Sequence, residues 1–205
     1  MKSIRKDYNL NILNKKDLVY SPINQFNIWF DEIVDFLDEP NAMVLSTSDN
    51  SGYVQSRVVL LKSVQQSGFV FFTNYNSLKS QHISKNQNVS LCFFWPKFEK
   101  QVRVNGLASK VSVKDSKLYF SKRPRKSQIA AWVSDQSSFV KDRLLLESKF
   151  NFFEKKFKNR SIPKPDYWGG YIVKPLSVEF WQGRSGRLHD RFLYTKTNKR
   201  WVIHR

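Results

Sequence analysis

Between Phe180 and Phe192 the chain gathers Trp181, Arg184, Arg187, His189, Asp190 and Arg191 within thirteen residues. Arginine presents a rigid fork of donors that grips planar oxyanions, and tryptophan offers a flat face to an aromatic ring. Together they suit a phosphorylated aromatic ligand. A solvated Arg-rich turn between two strands accounts for the same composition, so both readings stand for this segment taken alone. Arg184 reads as a turn residue. Neighbouring strand residues face opposite ways, which disfavours a direct His189–Asp190 acid/base pair and leaves Asp190 to orient Arg187 or Arg191.

A second group of chemical residues begins on the run Arg57-Val58-Val59-Leu60-Leu61-Lys62. Strand alternation sends Arg57 and Lys62 to opposite faces, so each could serve a different anion, or both could be solvated strand ends. Further on, Phe72 and Thr73 lead through Asn74-Tyr75-Asn76 to Ser77, which can cap a helix starting near Leu78. Free N–H groups there, with Lys79 in the first turn, suit a phosphate; a plain N-cap explains Ser77 equally well. In Tyr119–Trp132, Pro124 must end one helix and start another. Tyr119, Arg123 and Ser127 follow at steps of four and can converge on one anion across that break, although a basic surface junction fits the same residues.

These residues need elements to hold them. Ser21-Pro22 starts an amphipathic helix over about 22–38, with Phe26, Trp29, Phe30, Ile33, Val34 and Leu37 at helical spacing. The period then changes to consecutive antiparallel strands at 42–48, 53–62 and 69–73, separated by Asp49–Gly52 and Gln65–Gly68. A helix at about 78–86 and strands at 88–95 and 100–113 follow. Helices are expected at about 114–121, 125–132 and 138–158, and strands at about 168–182 and 190–204. This order predicts an α+β protein, mainly β, with a closed or partly closed barrel carrying helices. Ser161–Pro165 reads as a short linker.

Composition narrows the function. The 205 residues, 40% hydrophobic and 15% aromatic, suffice for one packed domain. No apolar run of membrane-spanning length occurs and the first residues lack a signal-peptide core, which predicts a cytosolic protein with no membrane partner. The net charge of +18 is spread along the chain among Asn, Ile and Phe rather than clustered, so it favours small anionic substrates over nucleic acid. Cys92 is the single cysteine, expected as a buried and inert thiol, and His82, His189 and His204 show no metal spacing.

Read in order, Arg57–Lys62, Phe72-Thr73, Ser77 with Lys79, Gln101, Arg123-Pro124-Arg125 to Trp132, Gln136-Ser137-Ser138, Trp168-Gly169-Gly170, Trp181-Gln182-Gly183 and Arg187–Arg191 resemble the pyridoxine/pyridoxamine 5′-phosphate oxidase family over nearly the whole chain. The resemblance implies an FMN-binding split β-barrel that works as a homodimer, with each flavin between subunits. It implies that Arg57, Val58, Val59, Leu60, Leu61 and Lys62 form the flavin-binding strand, and that Arg57, Ser77, Lys79, Gln136 and Ser137 hold the FMN phosphate and ribityl chain. Phe72, Thr73, Gln101, Trp181 and Arg191 would surround the flavin ring. Lys62, Tyr119, Arg123 and Ser127 would hold the substrate phosphate, while Arg187, Leu188 and His189 would lie over the pyridine ring. Arg5 to Tyr8 would belong to an N-terminal segment, residues 1–20, that closes over the substrate ahead of a single domain at 21–205.

The activity so implied is oxidation of pyridoxine and pyridoxamine 5′-phosphates to pyridoxal 5′-phosphate, with hydride passing from C4′ to flavin N5 and O2 reoxidising the flavin to give hydrogen peroxide. Arg187 and His189 would be the catalytic pair. Two departures stand out. Leu78 occupies a position where the family often carries an arginine for the FMN phosphate, and the chain stops at Arg205, short of the usual tail. Because a fold does not fix its chemistry, other split-barrel flavin oxidoreductases are rival readings, as is a basic RNA-binding or vitamer-carrier module.

Overall fold

The computed structural model describes residues 6–205. The Ser21 hydroxyl accepts from the Asn24 N–H at 3.4 Å and Pro22 fills the first turn, so α1 (Pro22–Asp31) begins where the sequence predicts. It ends at Asp31 rather than 38. At Ile33 the backbone bonding tightens to the Phe30 carbonyl, and a 3-10 turn over Val34–Phe36 follows.

Strand β1 (Ala42–Ser48) pairs antiparallel with β2 (Val54–Leu60). The Asp49 carboxylate closes their turn by accepting from the N–H groups of Ser51 and Tyr53. The expected three-strand meander stops there. The chain leaves the ladder at Leu61, adds the short β3 (Ser63–Gln65) and turns into β4 (Gly68–Asn74), which pairs with β3 and not with β2. Gly68, with φ +148°, is required at this crossing because a Cβ would lie 2.0 Å from the Val173 carbonyl oxygen.

The remaining elements are α2 (Leu78–Lys85), β5 (Asn88–Trp95), β6 (Lys100–Lys110), α3 (Val113–Ser121), α4 (Arg125–Val133), α5 (Arg143–Lys156), β7 (Trp168–Gln182), β8 (Asp190–Thr197) and β9 (Arg200–His204). Helix α5 starts later than predicted because the Asp142 carboxylate caps it, accepting from Leu145 N–H at 2.8 Å. The last predicted strand is instead a hairpin. Asn198 and Lys199 take φ of 49° and 66°, the left-handed pair that a tight two-residue turn needs.

The nine strands among the described residues form one antiparallel sheet in the order β2-β1-β5-β6-β7-β4-β3, with β8 and β9 joined beside β7. The first part of β7 lies between β4 and β6, and its second part between β6 and β8. A bulge at Asn105/Gly106 lets this long strand bend between the two neighbourhoods. The sheet curls until Lys62 N–H reaches the Val70 carbonyl at 2.8 Å. Helix α1 plugs the barrel: Phe26 is fully buried and packs edge-on against Phe69 at 4.9 Å and tilted against Phe93 at 4.9 Å. Truncating such a ring to alanine costs about 3–5 kcal/mol.

A second core holds α3, α4 and α5 against the start of β7 through Phe120, Ile129, Val133, Phe157, Ile162 and Trp168. Ile162 anchors the predicted linker into it. Cys92 is half-buried rather than buried, and desolvation raises its thiol pKa, which keeps it protonated and unreactive. No helix among the described residues is long and apolar enough to cross a membrane.

Candidate functional site

A cavity of about 1100 Å³ opens between β2, β4, the start of α2, α3–α4 and the loop after α4. Three positively charged side chains with depressed pKa values define it. Lys79 is 8% exposed, and its ammonium donates to Gln136 Oε1 at 2.9 Å, Ser77 Oγ at 3.1 Å and Thr73 Oγ1 at 3.2 Å. Burial, and then the nearby Arg57 charge, lower its pKa to about 8. Arg57 is lowered by burial. Its Nη1 donates to Thr47 Oγ1 at 2.8 Å, Gln55 O at 2.9 Å and Leu45 O at 3.2 Å, so the strand ladder itself fixes its direction.

The third cation is Arg123. Its guanidinium lies 4.7 Å from the Trp168 ring centroid, and burial again lowers its pKa. Nη1 of Arg123 is buried with no hydrogen-bond partner among the described residues. Arg123 lines the cavity, while its Nη1 is a donor buried among the surrounding residues and left unpaired by them. Tyr119 lies beside it, its phenol pKa raised by burial, and stacks on Phe72 at 3.9 Å and 12°. Phe72 stacks in turn on Trp168 at 5.3 Å. Gly170 permits this stack, because a Cβ there would lie 2.8 Å from the Phe72 ring.

Arg57, Val58, Val59, Leu60, Lys62, Phe72, Thr73, Lys79, Tyr119, Arg123, Ser127, Gln136 and Ser137 all line this one cavity. Arg57 and Lys62 therefore share it, contrary to the alternation argument. The strand ends at Leu60, and the residues beyond no longer obey its period. Leu61 points instead into the barrel core. Ser77 is fully buried and does not line the cavity; it sits at the N-cap, but its hydroxyl donates to the Asn74 carbonyl at 2.7 Å rather than capping the helix. The Leu78 N–H donates to Ser137 Oγ at 3.2 Å, and Ser137 takes the left-handed φ of 66° to receive it.

Gln101, Trp181 and Arg191 are directly opposite one another across β6, β7 and β8, and with Tyr8, Arg187, Leu188 and His189 they do not line this cavity. They form a separate wall. Trp181 and His189 have ring centroids 4.7 Å apart, and Tyr8 stands edge-on to both at 5.8 Å. Arg187 is exposed and takes a left-handed φ of 62°. Arg5 lies outside the described residues.

Asp190 orients neither Arg187 nor Arg191. Its carboxylate accepts from Arg184 Nη1 at 3.0 Å, Arg205 Nη2 at 3.1 Å and Leu13 N–H at 3.1 Å. Arg184 is thus more than a turn residue: it pairs with Asp190, and its backbone N–H donates to His189 Nδ1 at 3.1 Å. The buried Glu179 carboxylate holds Arg191 at 2.7 Å and Arg103 at 3.1 Å. Sequence reasoning missed Glu179, Thr47 and Trp168 as supports. Trp168 and Glu179 lie within β7 and carry no local spacing signal, although Trp168-Gly169-Gly170 stood out as a motif.

The buried Lys79–Arg57 pair, next to hydroxyl and amide groups, fits the phosphate and polyol of a mononucleotide. Arg123 with Tyr119, Ser127 and Lys62 fits a second phosphate. No group of three or more His, Cys, Asp or Glu residues able to hold a metal occurs among the described residues.

A family model described as pyridoxamine 5′-phosphate oxidase matches residues 30–155, and one described as the pyridoxine 5′-phosphate oxidase C-terminal dimerisation region matches 168–205. The chain is 48% identical to the pyridoxine/pyridoxamine 5′-phosphate oxidase of Teredinibacter turnerae, covering 100% of this chain and 98% of the relative. It is 47% identical to the protein of the same name from Trichormus variabilis, covering 98% and 95%. In fold it is similar to PhzG from Burkholderia lata, with a TM-score of 0.90 at 24% identity over 95% of this chain and 97% of that one. An FMN-binding protein from Nostoc punctiforme related to pyridoxamine 5′-phosphate oxidase has the same fold, with a TM-score of 0.73 at 14% identity over 91% and 98% of the two chains. The cavity, its wall and these matches, which run nearly end to end, lead to one conclusion: the chain belongs to the pyridoxine/pyridoxamine 5′-phosphate oxidase family.

Proposed function

We propose that this chain is a pyridoxal 5′-phosphate synthase, oxidising pyridoxine 5′-phosphate and pyridoxamine 5′-phosphate with FMN as cofactor and O2 as final acceptor. The observation that carries this reading is the pair of cationic clusters in one cavity, Lys79 with Arg57 and Arg123 with Tyr119, joined by Phe72-Thr73. Two anionic groups with a flat ring between them match a flavin mononucleotide beside a phosphorylated pyridine.

When bound, FMN supplies the hydride acceptor that no side chain of this protein can provide. Arg57, Lys79, Gln136 and Ser137 would hold its phosphate and ribityl chain. Lys62, Tyr119, Arg123 and Ser127 bind the substrate phosphate, a group remote from the reacting carbon whose binding energy orients the ring. Because Arg184 N–H occupies His189 Nδ1, the neutral imidazole carries its proton on Nε2, free to donate to the substituent at the reacting carbon. Arg187 adds a positive charge beside it.

The residues Gln101, Trp181, Arg187, His189 and Arg191 do not line this cavity, and in this reading a second copy of the chain brings them to it. The matched dimerisation region supports that homodimer; the division into one domain at 21–205 and an N-terminal segment that closes over the substrate is our own reading. We place the activity in the cytoplasm, in keeping with a chain that holds a single cysteine. Steady-state oxidation of each vitamer with and without its phosphate tests the reading. Turnover restricted to the phosphorylated forms is expected, and equal turnover of the unphosphorylated forms would overturn the role given to Arg123.

A further inference from the structure

Glu99 is 1% exposed, and its backbone takes a left-handed φ of 53°. Its main-chain carbonyl accepts from Gly183 N–H at 2.8 Å and from Gln182 Nε2 at 3.2 Å, fixing it behind the Trp181 wall. Its carboxylate is served entirely by the N-terminal segment among the described residues. Leu10 N–H donates to Oε2 at 3.0 Å, and the Lys6 ammonium forms an ion pair with Oε1 at 3.3 Å, an oxygen that has no hydrogen-bond partner among the described residues. Between these anchors Tyr8 lies against Trp181 and His189 and packs so closely on Gly183 that a Cβ there would be 2.8 Å from Cγ of Tyr8.

A buried carboxylate that loses its partners retains the full cost of its desolvation. Lifting residues 6–10 away would impose that cost on Glu99, so the carboxylate favours the arrangement in which Tyr8 covers His189. We propose that Glu99 is a positioning residue: it latches Lys6 and Leu10, and through them sets Tyr8 against the His189 imidazole. This rests on the oxidase reading for its consequence in turnover, but the latch itself is a property of the chain. Glu99 touches no substrate in this account. It acts through Tyr8 on how tightly the vitamer is enclosed, so its loss should raise KM more than it lowers kcat.

The test is a double-mutant cycle on the full-length FMN-loaded enzyme, with Glu99→Gln, Tyr8→Ala and the two combined, read by pyridoxine 5′-phosphate kinetics and by amide hydrogen exchange. Glu99→Gln should raise KM about tenfold, the scale of a hydrogen bond to a charged group, and speed exchange at Leu10 by a similar factor, while FMN content stays at the wild-type level. Tyr8→Ala should raise KM as well, and the double variant should match Tyr8→Ala alone. Penalties that simply add, or unchanged Leu10 exchange in Glu99→Gln, would overturn the latch. Should Glu99→Gln fail to fold, Lys6→Ala, at an exposed position, probes the same contact and must speed Leu10 exchange. A wild-type protein that turns over no vitamer contradicts the proposed function instead, and the exchange measurement then still decides the latch.

Discussion

The Arg123 guanidinium sits 4.7 Å from the centroid of the Trp168 ring, and its buried Nη1 has no acceptor among the described residues. The ring supports the cation, and in the proposed function the cavity-lining face of this guanidinium serves the substrate phosphate. Arg123→Leu should therefore lower kcat/KM for pyridoxine 5′-phosphate by about 10–150-fold, the value of a hydrogen bond to a charged group, while FMN content is unchanged. Trp168→Leu should weaken phosphate binding by a smaller factor through loss of the platform. Steady-state kinetics with flavin absorbance on the same samples checks both.

The pH dependence of cofactor binding follows from Lys79. Its pKa is depressed to about 8 by burial and by Arg57, and only the protonated ammonium attracts a phosphate dianion. Below pH 8 it is charged. As pH rises through 8 the proton is lost before binding and must be recovered, so the FMN dissociation constant of the apoprotein should rise with pH, approaching about tenfold per unit at the limit. Lys79→Met should bind FMN weakly and with a flatter profile between pH 7 and 9. Fluorescence titration of apoprotein measures both curves.

Leu78 lines the cavity beside Lys79 with a side chain that offers no donor, and its own N–H is occupied by Ser137. Leu78→Arg should tighten FMN binding by about tenfold or more through one charge-assisted bond. An unchanged dissociation constant in the same titration would remove Leu78 as a cause of weak retention.

Arg187 is assigned to the substrate and not to the flavin. Its backbone is held in the left-handed region, a conformation that costs a non-glycine residue energy and is a feature of functional turns. Arg187→Leu should reduce kcat by about 100-fold or more, the range for loss of a positioned charge, while flavin absorbance per protomer stays near wild type. Wild-type turnover in that variant would take Arg187 out of the mechanism.

Much of this was legible in the chain because short-range signals governed it. Ser21-Pro22 marked a helix start, Pro124 divided α3 from α4, and the apolar and β-branched content of Ala42–Ser48 and Asn88–Trp95 returned those strands with their observed bounds. What failed depended on contacts distant in sequence. Arg57 and Lys62 share a cavity because the strand ends between them, and Asp190 serves Arg184, Arg205 and Leu13 because β8 faces the N-terminal segment and the last strand. Ser77 had every local mark of a capping hydroxyl, yet Asn74 O takes its proton. Thr47 and Glu179 orient two site arginines from neighbouring strands, a relation that only strand register reveals. That Trp168 lines the cavity while Trp181 does not is likewise a matter of how β7 is shared between two sheet neighbourhoods.

The central claim is that this cavity brings FMN and a phosphorylated vitamer together for hydride transfer. Anaerobic addition of pyridoxamine 5′-phosphate to the FMN-loaded dimer tests it most directly, followed by flavin absorbance. The account predicts bleaching of the yellow flavin, return of the colour on admitting oxygen, and one pyridoxal 5′-phosphate formed per flavin reduced. A protein that cannot be reconstituted with FMN, or a bound flavin that stays oxidised in the presence of the vitamer phosphate, would contradict it.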